Sequence, residues 1–229
     1  MRILMASLLL PFAVHAAEPV LPELTAQYTV EWGGMSLGDA AVTLKAAETP
    51  GCYRYESATK PIGMVRWIYG SPYERSEFCI EKNRVVPKHF VFSNPKREKD
   101  GFTLDFDWTA KTVSSNRASP RPLPDNAQDR FGLQQAVRLW VLQNLDKKDP
   151  GTVEFTMVED DRMKVYKFAI AGREKLKVPA GEFDTVLVQR VDDPKKTSKF
   201  WLAPSRDYMP VKVEQIKNGD SQFRMVLKS

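Results

Sequence analysis

Apolar and polar residues alternate along most of this chain. Leu24, Ala26, Tyr28, Val30 and Trp32 fall on one side of an extended segment, and Thr25, Gln27, Thr29 and Glu31 on the other. The same period of two sets Phe102, Leu104, Phe106 and Trp108 against Thr103, Asp105 and Asp107, and Phe223, Met225 and Leu227 against Gln222, Arg224 and Lys228. Successive side chains on a strand point to opposite faces, so each run predicts a strand with one wet side. Gly33 and Gly34 predict a tight hairpin between the first strand and a second over about 36–46. Asn83, Glu159 to Asp161, Asp192 to Pro194, and Asn218 with Gly219 mark further turns. About eleven or twelve strands are expected at this spacing.

Two segments break the alternation. Pro61 to Tyr69 is a short apolar stretch that predicts one or two helical turns. A longer helix is predicted over about 126–145, where Phe131, Leu133, Ala136, Val137, Trp140 and Val141 recur at helical spacing. Asp125 and Gln128 have the spacing of a capping box at its start, and the Pro- and Ser-rich stretch 116–125 reads as the linker before it. Strands joined by short links predict antiparallel pairing. The expected fold class is therefore mainly β: one strongly curved antiparallel sheet or half-barrel, a central helix on its concave side, and a short helical excursion.

The first residues have a different pattern. Arg2 precedes the apolar run Ile3 to Val14, and Val14, His15 and Ala16 supply a cleavage-type ending. That run is short for a bilayer span and apolar all round, so residues 1–16 are expected to be a secretory signal peptide and 17–229 a single β-rich domain. The expected location is the periplasm, with no transmembrane segment in the mature chain. Export gives the two cysteines, Cys52 and Cys79, an oxidising surrounding, and a disulfide between them is expected. Cys52 opens one predicted strand and Cys79 lies late in the next, so antiparallel pairing would bring them together. The net charge of +5 is mild, and basic residues are interleaved with acidic ones. This is a solvated surface rather than a nucleic-acid footprint.

Candidate chemistry is sparse. His89 is the one histidine after the leader, in a predicted strand with no nucleophile elbow nearby. One histidine and two paired cysteines do not make a zinc site, and no calcium loop or phosphate-binding glycine motif is found, so no cofactor is expected. Asp105 and Asp107 share a strand face and would serve a carboxylate-based hydrolase of envelope polymers only if they faced a cleft. The unusual feature is apolar residues off the sheet. Ile62, Met64, Trp67 and Ile68 crowd the excursion, and Phe131, Val137 and Trp140 lie on the helix. They either plug the open side of the sheet or line a gap that admits an acyl chain, and these seven are the candidate ligand-binding residues.

Four segments together resemble a known family. They are Tyr28 to Gly38 (YTVEWGGMSLG), Gln128 to Gln134 (QDRFGLQ), Val178 to Thr185 (VPAGEFDT), and Phe200 to Pro204 (FWLAP) followed by Tyr208 to Lys212 (YMPVK). The chain is similar to the exported bacterial family known as domain of unknown function 3108, across nearly all of its length after the leader. The family pattern would have Ser where Gly132 stands. The resemblance implies an exported, β-rich protein and supplies no catalytic residues. Its half-barrel with an inserted helix also resembles periplasmic lipoprotein carriers in architecture. Three functions follow as expectations: a non-enzymatic carrier for an apolar or amphipathic envelope component such as a lipid, an assembly factor that binds another envelope protein, or the carboxylate hydrolase. An open apolar cavity would favour the first.

Overall fold

The computed structural model describes residues 21–229, so the predicted signal peptide lies outside the described residues. The elements run β1 (Leu24–Trp32), β2 (Met35–Ala46), β3 (Cys52–Pro61), α1 (Val65–Tyr69), β4 (Tyr73–Glu81), β5 (Arg84–Ser93), β6 (Phe102–Asp107), β7 (Thr112–Ser115), β8 (Ala118–Pro122) and β9 (Ala127–Gln128). They continue with α2 (Arg130–Asn144), β10 (Thr152–Val158), β11 (Met163–Val178), β12 (Gly181–Arg190), β13 (Lys196–Ala203), β14 (Met209–Lys217) and β15 (Asp220–Leu227). The fifteen strands form one sheet in which β1 to β8 lead to one edge and β15 back to β9 lead to the other. The two meanders meet where β1 pairs antiparallel with β15, from Tyr28 opposite Leu227 to Trp32 opposite Phe223. The middle of the chain therefore supplies both edges, and α2 crosses between them.

The predicted hairpins form at their turn residues. Trp32 pairs with Met35 across Gly33 and Gly34, both of which have positive φ. That backbone twist suits a two-residue hairpin, and glycine adopts it without a steric penalty. Alternation also places the buried faces as expected: Phe102, Leu104 and Phe106 are buried, while Asp105 and Asp107 point out. Tyr28 and Tyr55 from the N-terminal strands pack in one cluster with Phe131, Ala136 and Leu139 of α2. On its other flank the helix packs Leu133, Val137 and Val141 against Val186, Val188 and Val213. A single helix can touch both halves only if the sheet curves around it. The two edges do not pair with each other. Their seam is filled by Val113, Leu123, Ala127 and Val158, and Arg121 Nη2 donates across it to the carbonyls of Glu159 and Asp160 at 2.7 and 3.0 Å.

Three details differ from the sequence-based expectation. Fifteen strands form among the described residues, more than expected, in part because the stretch 116–125 is not all linker: Ala118–Pro122 forms the edge strand β8. Pro120 and Pro122 lack a backbone N–H, which an edge strand tolerates. The helix starts at Arg130, four residues later than predicted. Ala127 and Gln128 are held extended by parallel pairing with Thr156 and Met157 of β10. Asp125 and Gln128 accordingly form no capping box: Asp125 is exposed and bonds Lys111 at 2.8 Å, and Asp129 caps the helix instead.

The disulfide is present. Cys52 and Cys79 sit directly opposite each other in the β3–β4 ladder and are bonded, enclosing the excursion between them. The bridge closes a loop of 27 residues in sequence, at the end of the hairpin remote from α1. Loop closure of that size stabilises by about 3–4 kcal/mol, chiefly by restricting the unfolded chain. Replacing both cysteines by Ala should lower the unfolding free energy in urea by about 2–5 kcal/mol. The unreduced, denatured wild type should show no reactive thiol.

Candidate functional site: a cavity on the concave face of the sheet

One helix does not cover the whole concave face, and the uncovered part is a cavity of about 590 Å³. The stripe that begins as packed core in Ala26 and Tyr28 continues along β1 as Val30 and Trp32 in the cavity wall. On β15 the same change occurs from Leu227, fully buried, to Met225 and Phe223. Val213, Phe200 and Phe168 complete the apolar wall, and Phe131, Leu133 and Gln134 of α2 form its roof. Phe168 and Phe200 pack edge to face at 6.0 Å between ring centres, and Trp32 and Phe223 do so at 6.2 Å. These contacts keep the aromatic walls in defined positions.

The rest of the lining is polar and charged. Arg130 bonds Glu74 at 2.6 Å, and both line the cavity. Arg190 is held by Asp192 through a bidentate pair and lies 3.9 Å from the ring centre of Tyr166. Burial raises the Tyr166 pKa above its ordinary value, against the opposing field of Arg190. Lys196 and Lys217 are directly opposite each other on β13 and β14, both line the cavity, and neither has a carboxylate partner among the described residues. Like charges facing each other across a ladder destabilise a sheet, so this pair has no evident structural benefit.

The roof is set by the start of α2. Asp129 is fully buried; its Oδ1 accepts from the N–H groups of Phe131 and Gly132, both at 2.8 Å, and its Oδ2 from the Ser76 hydroxyl at 2.7 Å. Burial raises its pKa from 3.8 to about 6, and the three hydrogen bonds offset only part of that. Beside it, Gln128 donates Nε2 to the Val85 carbonyl at 2.8 Å, while its Oε1 is buried without a partner. A Cβ at Gly132 would lie 2.9 Å from that Oε1, so the glycine allows this close approach.

Of the sequence-predicted site residues, Phe131 lines the cavity. Val137 is buried core at 1 % exposure, and Trp140 lines a separate, smaller cavity of about 230 Å³ on the other side of the helix. Ile62, Met64, Trp67 and Ile68 neither plug the sheet nor line the cavity: they are exposed on the excursion. Sequence reasoning identified the inward stripes of β1 and β15 but not the point at which core becomes cavity wall. It also passed over Arg130 on α2 and over Arg190, Lys196 and Lys217, which the neighbouring strands β12, β13 and β14 bring into the lining. The acidic candidates are apart from the cavity. Asp105 faces outward against His89, with Nδ1 to Oδ1 at 2.7 Å, and Asp107 accepts from the N–H groups of Thr109 and Ala110 in a turn.

The chain belongs to the family described as protein of unknown function (DUF3108), whose family model matches residues 27–228. Among solved structures it is similar to a β-barrel-like protein of domain of unknown function DUF1849 from Brucella abortus. That match has 14 % identity and a TM-score of 0.59 and covers 92 % of this chain and 97 % of the other, which establishes a shared fold. A protein from Bacteroides fragilis with a YmcC-like fold aligns over 89 % of this chain and 93 % of its own at 14 % identity, with a TM-score of 0.37. Comparison with curated proteins gives no match.

Asp129 makes the stability of this arrangement depend on pH. Below the unfolded value of 3.8 the carboxyl is protonated in both states. Between there and about 6 the folded protein retains a proton that the unfolded chain has lost, so stability falls as pH rises through that window. The loss attributable to this group should be at most roughly 3 kcal/mol. Asp129→Asn keeps a good capping oxygen and removes the titration. In urea unfolding of both proteins from pH 4 to pH 6.5, the wild type should lose stability relative to the variant as pH rises. Equal pH slopes would refute the assignment.

Proposed function

We propose that this protein is a non-enzymatic carrier for an amphipathic component of the cell envelope, whose apolar part occupies the cavity. The observation that supports this reading is the cavity itself: its volume of about 590 Å³ is that of a small-molecule site, and its lining combines apolar walls with charged residues. A chain with an apolar tail and a polar head matches both regions at once. The Cys52–Cys79 bridge supports an oxidising, extracytoplasmic place of action, the periplasm. Among the described residues no helix is long and apolar enough to cross a membrane.

The test is to fill the cavity without disturbing the core. Ser198 lies two residues from Phe200 on β13, is only partly buried, and lines the cavity. Ser198→Trp should project an indole into the space. Binding of a fluorescent fatty acid should weaken at least about tenfold, while urea stability stays within about 1 kcal/mol of wild type. A wild type that binds no fatty acid, or a variant that binds it equally well, would count against the carrier reading.

A further inference from the structure

The excursion between β3 and β4 has four large apolar side chains in solvent: Ile62 is 53 % exposed, Met64 78 %, Trp67 75 % and Ile68 62 %. Such a cluster on a single short segment is unusual for a surface that meets only water. It is also rooted in the cavity wall. The two feet of the excursion, Thr59 and Pro72, both line the cavity and are joined by a backbone hydrogen bond of 2.9 Å. Ile62 N–H donates to the Leu37 carbonyl at 3.0 Å, which fixes the excursion beside the β1–β2 hairpin. Leu37 and Trp32 of that hairpin line the cavity as well, and the hairpin adds Trp32 at 51 % exposure and Met35 at 62 %.

Within the excursion itself the charge has one sign, and the carboxylates at its border are paired: Asp39 with Lys228 and Glu31 with Arg224. Residues 60–72 include Lys60 and Arg66 and no carboxylate, and Lys96 Nζ lies 4.7 Å from the ring centre of Trp67. Exposed tryptophan and aliphatic side chains set among cations are the composition that partitions into the headgroup region of an anionic bilayer. A second copy of the chain would bring Lys60, Arg66 and Lys96 against the same cations.

We propose that the excursion, with Met64 and Trp67 at its tip, is a docking surface for an anionic lipid bilayer and holds the cavity at the membrane. This rests on the carrier reading and deepens it: the ligand would pass between membrane and cavity along Trp32, Leu37 and Pro72 without crossing open water.

The test compares the full wild-type chain with the double variant Met64→Ser, Trp67→Ser. Both are mixed with vesicles of phosphatidylcholine alone and of phosphatidylcholine with phosphatidylglycerol, then sedimented. The wild type should pellet with the phosphatidylglycerol vesicles, less so at high salt. The variant should bind them at least about tenfold more weakly, because two apolar side chains no longer enter the interface. Urea stability and binding of soluble fluorescent fatty acid should be unchanged in the variant, since neither side chain is buried or lines the cavity. A wild type that binds vesicles but no fatty acid would support the docking surface while overturning the carrier reading. Equal vesicle binding by the two proteins, or none by the wild type, would overturn the docking surface. A wild-type dimer that the variant dissolves would overturn it in favour of a second copy of the chain.

Discussion

A single helix has to cover the concave face of a sheet of fifteen strands, and the rest of this structure follows from that mismatch. At 1.5 Å per residue, the fifteen residues of α2 span about 22 Å. They can seal one region against strands of both halves, forming the packed clusters, but the apolar stripes of β1, β13, β14 and β15 run on past the helix. Where they do so, no helix covers the side chains, and the interior opens into a cavity. The sheet edges do not complete a hydrogen-bonded barrel either. Side chains close the seam, so curvature is maintained by packing rather than by a continuous ladder.

The position of the helix is fixed by buried polar groups at two levels. At its start, Asp129 accepts three hydrogen bonds and ties the first turn to Ser76 on β4. Further along, Arg138 is 1 % exposed; its Nε donates to the Asp207 carbonyl at 2.8 Å and its Nη1 to Gln135 Oε1 at 3.3 Å. Burial lowers the Arg138 pKa, and the neighbouring tyrosines and Asp207 oppose that shift. Burying a charge is tolerable only where its hydrogen bonds are made, so the guanidinium favours one placement of α2 against the β13–β14 connection. Apolar contacts alone would allow the helix to slide; these bonds set its register and so the height of the cavity roof.

The same geometry separates two kinds of surface. The cavity has aromatic walls and, elsewhere in its lining, Lys196 and Lys217 facing each other without a carboxylate partner among the described residues. The excursion is tethered by the feet of the β3–β4 hairpin, by a backbone bond to Leu37 and by the contact of Lys96 with Trp67, with the disulfide at the hairpin's far end. A stapled base with an exposed apolar tip suits contact with a soft, extended surface, whereas the rigid cavity suits a defined small molecule. The proposed carrier role would use both in continuity.

Period-two alternation was enough to identify the strands and their inward faces, because a strand must turn every second residue toward the core whatever its neighbours are. Gly33 and Gly34 announced their hairpin for an equally local reason, the positive φ of the turn. The cysteine pairing was legible too, since antiparallel neighbours bring the start of β3 beside the end of β4. The short strands β8 and β9 were not, because Pro120, Pro122 and the pair Ala127–Gln128 have no strand-forming pattern of their own and are extended only by what they pair with. Nor could the sequence distinguish Tyr28 in the core from Val30 in the cavity wall, two residues apart on one stripe. Both point inward; whether anything meets them depends on where α2 starts and lies, and that is set by bonds such as Asp129 to Ser76 and Arg138 to Asp207, which join residues 53 and 69 apart in the chain. The apolar residues of the excursion presented the opposite case: their hydrophobicity suggested a buried role, and only the tertiary structure, by filling the interior with other side chains, left Trp67 and its neighbours in solvent.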